Sequence, residues 1–396
     1  MKRQWEIDAL RGLMLVLITI THLPTRLTQP VGQPFGFVSA AEGFVLLSAY
    51  MAGLVYSRLA ARSGDAAMRR AFLKRALKIY LCQAAVLVFL FTVIAAAGVR
   101  FDEPAVENLM RYYLQHPHAA VVAGLALVYQ PPLLDILPMY VFFMLGSPWI
   151  LTFALRRGWS GLIGVSALLW LLAQLGLSHW FYERVVLLTG LGVPFQEMGA
   201  FNTFAWQALW MAGLYLGASR SRADAPPMRL APVVVVAACA VALAGFVWRH
   251  AGPYGQVPFS AVHPLWNLLF DKWQLGPLRL ANLLALGIVF VCFGPALAHR
   301  LPRLRGLEAM GSASLAVFCA HLVAVLLTLA WFGGDPYARP WWGDVLLLVA
   351  VFGALQLVAR VSAPLNLKLA DPSLPMPLGP EGVARSPSAT THSRRD

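Results

Sequence analysis

The sequence predicts an all-α, polytopic integral membrane protein of about ten transmembrane helices, with both termini in the cytoplasm. Three observations predict it. The 396 residues are 59% hydrophobic and 12% charged, with a mean hydropathy of +0.66, far more apolar than a soluble chain of this length. Apolar runs of about 20 residues, long enough to cross a bilayer, recur about ten times. With the amino terminus in the cytoplasm, about 23 of the Lys and Arg residues fall on that side or at its helix ends and about 8 on the other, as the positive-inside rule requires. The net charge of +13 is read as topology, and no nucleic-acid partner is expected.

The first run, 9–24, follows Lys2 and Arg3 without a small-residue cleavage site, so it reads as an uncleaved helix and not a signal peptide. The second, 36–57, carries Glu42 about two turns inside. A connection holding Arg58, Arg62, Arg69, Arg70, Lys74, Arg75 and Lys78 leads to the third, 77–98; it fixes orientation, touches anionic lipid, or offers an electropositive mouth to a phosphate-bearing donor. The fourth, 132–154, contains Asp135 among Pro131, Pro132 and Pro138, which break the helix and free backbone groups to line a cavity. The fifth to eighth runs are 159–177, 201–218, 230–248 and 277–297. The ninth, 311–331, carries His321, and the tenth is 343–363.

Residues 1–363 thus form one transmembrane domain, and 364–396, rich in Pro, Ser, Gly and Thr, form a disordered cytoplasmic tail. The longer connections on the far side, 99–131, 178–200 and 249–276, are rich in aromatic and polar groups, among them Tyr254, His263, Trp266, Asn267, Asp271, Lys272 and Trp273. Trp and Tyr at span ends ordinarily form the interfacial belt. Interleaved with carboxylates and amides, they also suit a carbohydrate, whose rings stack on flat apolar faces while its hydroxyls need hydrogen-bond partners. Trp266, Asn267 and Asp271 are therefore candidates for acceptor binding.

Ionisable groups inside spans are costly and mark function or structural pairing. Arg11 and His22 are eleven residues apart, about three helical turns, which places them on one face roughly 16 Å apart along the axis. Asp8, three residues before Arg11, can hold its guanidinium. Glu42 must neutralise itself, face a cavity, or meet Arg11 or His22, the last either as a staple between spans or as the group that orients a catalytic imidazole. Asp135 and His321 are further candidates to line a passage. Cys82, Cys239, Cys292 and Cys319 lie in apolar segments without metal-ligand spacing, so no metal is expected. There is no GxSxG elbow, P-loop, HExxH or strand-borne GxGxxG, so catalysis has to come from groups of the helix bundle. The residues alone leave open a transporter or flippase for a glycan or anionic metabolite, built on the same charged set.

The opening Glu6-Ile7-Asp8-Ala9-Leu10-Arg11-Gly12, the spacing from Arg11 to His22, and the stretch from Phe35-Gly36-Phe37 through Glu42-Gly43-Phe44 to Ala52-Gly53 resemble the OpgC family, within the acyltransferase family 3 group of transmembrane acyltransferases. The likeness extends to Gly311-Ser312-Ala313-Ser314-Leu315 and His321. It implies transfer of an acyl group, succinyl or acetyl, from a cytoplasmic acyl-CoA to a hydroxyl of a glucan on the periplasmic side of a bacterial inner membrane. It also implies His22 as the catalytic histidine and Arg11 as a partner in the donor channel. One departure is Ser48-Ala49-Tyr50, where the wider group often has Ser-Gly-aromatic. The Asp-x-x-Arg-Gly start is shared with membrane glucosaminide N-acetyltransferases, which leaves an acetyl donor and another cell-envelope glycan open.

Overall fold

The structure, a computed structural model, describes residues 5–221, 230–251 and 264–370. Lys2, Arg3, Tyr254, His263 and residues 371–396, the greater part of the expected tail, lie outside the described residues. Among the described residues there are helices and loops and no strand.

Each of the ten expected segments is helical. The main helices are α1 (Trp5–His22), α2 (Ala40–Phe89), α3 (Ile136–Arg157), α4 (Ser160–Gln174), α5 (Leu177–Thr189), α6 (Thr203–Ser219), α7 (Pro232–Ala251), α8 (Pro264–Phe270), α9 (Pro277–Arg300), α10 (Arg305–Ser312), α11 (Ser314–Phe332) and α12 (Trp341–Ala370). Among the described residues six helical runs, one of them Ala40–Gly98, have the length and apolar content to cross a membrane, or seven if the bent pair α4 and α5 is one span. That pair turns through 82° at a break containing Gly176, whose φ of 92° ends α4.

Three boundaries differ from the sequence reading. The second and third segments join in α2, which breaks at Gly64 with φ 80° and ψ 168°, a conformation suited to glycine. Asp135 is not inside the fourth span: α3 starts at Ile136, and Pro131 and Pro132 hold the chain out of a helix before it, with Leu133 at φ 73°. At the other end of the chain α12 continues through 364–370 to Ala370.

Small residues set the closest helix contacts. A methyl on Gly12 would overlap the Leu307 carbonyl, and one on Gly311 the Asp8 carbonyl, so α1 and α10 meet backbone to backbone. α2 and α6 do the same, with Gly53 against Leu214 and with Gly213 and Gly217 against the α2 backbone from Leu46 to Leu54. Where lipid tails supply no hydrophobic drive between helices, such close approach supplies packing instead. By contrast α7, α9 and α12 bury only 17% of their apolar windows and turn Val233, Leu284 and Val349 outward, the pattern of a lipid-facing surface.

Asp65 bridges Arg156 at 2.5 Å and Arg58 donates to the Ser221 carbonyl at 3.1 Å, closing one end of the bundle. The other end, which receives the last turn of α1, opens into a cavity.

Candidate active site

α1 and α11 run side by side, and two contacts register them. Near its start Arg11 donates to Ser314 Oγ at 2.5 Å, while Asp8 Oδ1 lies 3.9 Å from the guanidinium. At the end of α1, His22 Nδ1 lies 3.1 Å from His321 Nε2, with the ring planes 20° apart. Both residues that the sequence put on one face of α1 therefore face α11.

The proton positions follow from chemistry. His321 Nδ1 sits 2.6 Å from the Phe318 carbonyl, which can only accept, so Nδ1 carries the hydrogen. In the neutral ring Nε2 is then an acceptor, and His22 Nδ1 must be the donor to it. His22 is left with a lone pair on Nε2, which makes no hydrogen bond among the described residues, and the residue lines the cavity. His321, fully buried, stands behind it.

The cavity holds about 1010 Å³, the upper end of the usual range for small-molecule sites. Beside His22 its wall carries the amides of Gln29, Gln33, Asn108, Gln130 and Asn267, with Phe37, Phe201 and Trp273 as flat apolar faces. Asp135, Asp271 and Glu197 add carboxylates, and Lys272, Arg249 and Arg279 add cations. Asp135 accepts from the Ala200 amide at 3.1 Å, and burial pushes its carboxyl up to about 6. Asp271 Oδ1 accepts from the Gln274 amide at 2.6 Å, pinning the turn that carries Lys272.

The candidates thus separate into three places. His22, Asp135, Asn267 and Asp271 share the cavity, and His321 backs it. Trp266 stands behind the wall, packed against Trp248 and Phe270 with ring centroids 5.5 and 6.1 Å away. Asp8 and Arg11 lie toward the opposite end of α1 and do not line the cavity.

Glu42 requires a correction. It does not orient His22: one carboxylate oxygen accepts from Arg279 at 2.5 Å, and the other accepts from the Ser39 amide at 3.1 Å and from the Ser39 hydroxyl. Glu42 is the third helical residue after Ser39, so its carboxylate folds back to cap the start of α2 and spends its remaining charge on Arg279. The side chain that meets His22 is His321. Sequence reasoning missed Arg279 and Arg249. A signal for Arg279 was present, since it is a cation two residues into an otherwise apolar run. Among the described residues no group of three or more His, Cys, Asp or Glu could hold a metal ion.

Searches among curated proteins and solved structures returned no match. The family described as OpgC protein matches residues 3–366, nearly the whole chain, including both histidines, Arg11 and the cavity wall. The chain belongs to the OpgC protein family.

Proposed function

We propose that this protein is an integral-membrane O-acyltransferase of the inner membrane, moving an acyl group, succinyl in the first instance, from a cytoplasmic acyl-CoA to a hydroxyl of a periplasmic glucan. Family membership supports a glucan succinyltransferase-like activity. The observation that carries the mechanism is the chain from the Phe318 carbonyl through His321 to His22, which leaves a basic nitrogen at a cavity rich in amides.

In this reading the protein crosses the membrane about ten times with both termini cytoplasmic, as in the wider acyltransferase family 3 group. The acceptor lies in the cavity, held through Asn267, Asp271 and the Trp273 face, with Trp266 supporting the wall. His22 Nε2 takes the proton of the acceptor hydroxyl. The resulting oxygen attacks the thioester carbonyl carbon, the C–S bond breaks, and the departing coenzyme A thiolate receives the proton from the His22 imidazolium, which restores the neutral ring. Arg11, fixed by Asp8 and Ser314, offers its charge to the donor at the other end of α1.

Purified protein in liposomes, given acyl-CoA outside and periplasmic glucan inside, tests the proposal by release of the coenzyme thiol and by the mass of the glucan. Expected are glucan-dependent thiol release and a succinyl increment, both absent with His22→Ala protein that remains folded. An acetyl increment would change the donor. Solute movement without thioester cleavage would replace the enzyme with a carrier.

A further inference from the structure

The cavity wall holds three cations in unequal circumstances. Arg279 is neutralised by Glu42 at 2.5 Å. Arg249, 7% exposed, donates from Nε to the neutral Gln33 amide at 3.0 Å. Lys272 has neither kind of partner: its ammonium lies over the Trp273 ring, 4.5 Å from the centroid, and no carboxylate comes within 4.0 Å of it among the described residues. The nearby acids are otherwise engaged, Glu42 by Arg279, Asp135 by the Ala200 amide and Asp271 by the Gln274 amide. A cation removed from water without a counter-ion is costly and is kept where an anion is to be received.

Its placement says which anion. Lys272 and His22 line the same cavity, which Arg11 does not. A group it grips lies in the cavity that His22 lines, not at the Arg11 end of α1. An acyl group with a second carboxylate places that carboxylate about 4 Å from the reacting carbonyl carbon, across three C–C bonds of about 1.5 Å. The Lys272 ammonium, in the cavity that His22 lines, is set to meet it.

We propose that Lys272, on the wall it shares with Arg249, forms a subsite for the free carboxylate of a dicarboxylic acyl group and so selects the acyl donor. The inference rests on the acyltransferase reading above and adds the residue that discriminates among donors. Burial holds the Lys272 ammonium below its ordinary range, with Glu42 and Asp135 acting upward and Arg279 downward, as expected of a cation short of a partner.

The test compares succinyl-CoA with butyryl-CoA, which has the same chain length and no free carboxylate, on the full-length protein in detergent. Lys272→Met is expected to lower kcat/KM for succinyl-CoA by about 10- to 100-fold, the worth of a charged hydrogen bond, and to leave butyryl-CoA within a factor of about three of its original value. Lys272→Arg is expected to retain most of the succinyl preference. Equal loss for both donors in folded Lys272→Met protein would overturn the subsite, and so would a change confined to the KM of the glucan, which would put the anion on the acceptor. If the unaltered protein cleaves neither thioester, the acyltransferase reading itself fails, a result distinct from either of these.

Discussion

Arg279 and Glu42, 237 positions apart in sequence, meet at 2.5 Å with side chains only 3% and 0% exposed. The pair ties the start of α9 to the start of α2, and the same carboxylate caps α2 through Ser39. Taking two charges out of water is expensive, so the arrangement holds only while both are present. Glu42→Ala is expected to destabilise the protein by about 3 to 5 kcal/mol, and Glu42→Ala with Arg279→Met by less than the sum of the single changes. Unfolding of the four proteins in detergent measures this; additive losses would mean that the pair is not coupled.

The two histidines should divide kinetically. His22→Ala removes the proposed base and is expected to lower kcat by about 10²- to 10⁴-fold. His321→Leu leaves the base but releases its Nδ1, so the ring can rotate and change tautomer; a loss of about 10²-fold in kcat with little change in KM is expected. His321→Asn, whose amide oxygen can still accept from His22, should recover part of that loss. Activity that falls only in proportion to folded protein would reduce His321 to a packing residue.

The helical segments were legible because apolar content and length are local properties. Breaks in the pattern were less so: Gly64 and Gly176 turn the chain with positive φ, which one glycine among 32 does not announce. The Arg11 and His22 face was legible from helical spacing alone. Partner choice was not. Glu42 had several residues it could have reached, and which one it took depended on packing between α2 and α9. The closeness of α2 and α6 could have been read from Gly213 and Gly217, whose spacing of four places two bare backbone sites on one face.

Those glycines give a stability prediction. A methyl at Gly217 meets the Tyr50 carbonyl, which is backbone and cannot rotate aside, so Gly217→Ala is expected to cost about 1 to 3 kcal/mol. Gly161→Ala and Gly287→Ala, with nothing within 4 Å, should stay within about 0.5 kcal/mol of the original. Thermal unfolding of the three variants side by side provides the comparison.

Asp135 gives a pH prediction. Burial pushes its folded carboxyl up to about 6 from an ordinary 3.8. A raised folded value means that the neutral form suits the folded state. The associated stability is full below about pH 4, falls as pH rises through 6, and is lost above it, a change of roughly 3 kcal/mol. Asp135→Asn keeps an oxygen for the Ala200 amide and cannot ionise. The variant should gain stability relative to the original protein between pH 5 and pH 7.5, and a difference that does not vary with pH would show that the carboxyl is ionised throughout.

In the proposed mechanism Arg11 separates donor binding from chemistry by distance. It sits toward the start of α1, about three turns from His22, and is held by Asp8 and Ser314 in one orientation. A guanidinium so fixed can present a planar fork to a phosphate, whereas an ammonium presents a point charge. Arg11→Gln removes the charge and is expected to raise the KM for acyl-CoA by about 10- to 100-fold, while leaving the KM for glucan, whose cavity Arg11 does not line, unchanged. Arg11→Lys should fall between. Ser314→Ala removes the hydroxyl that aims the guanidinium and should give a smaller rise of the same kind. If Arg11→Gln instead lowers kcat with both KM values unchanged, the residue acts on the reacting bond or on the register of α1 against α11, and donor recognition belongs elsewhere in the protein.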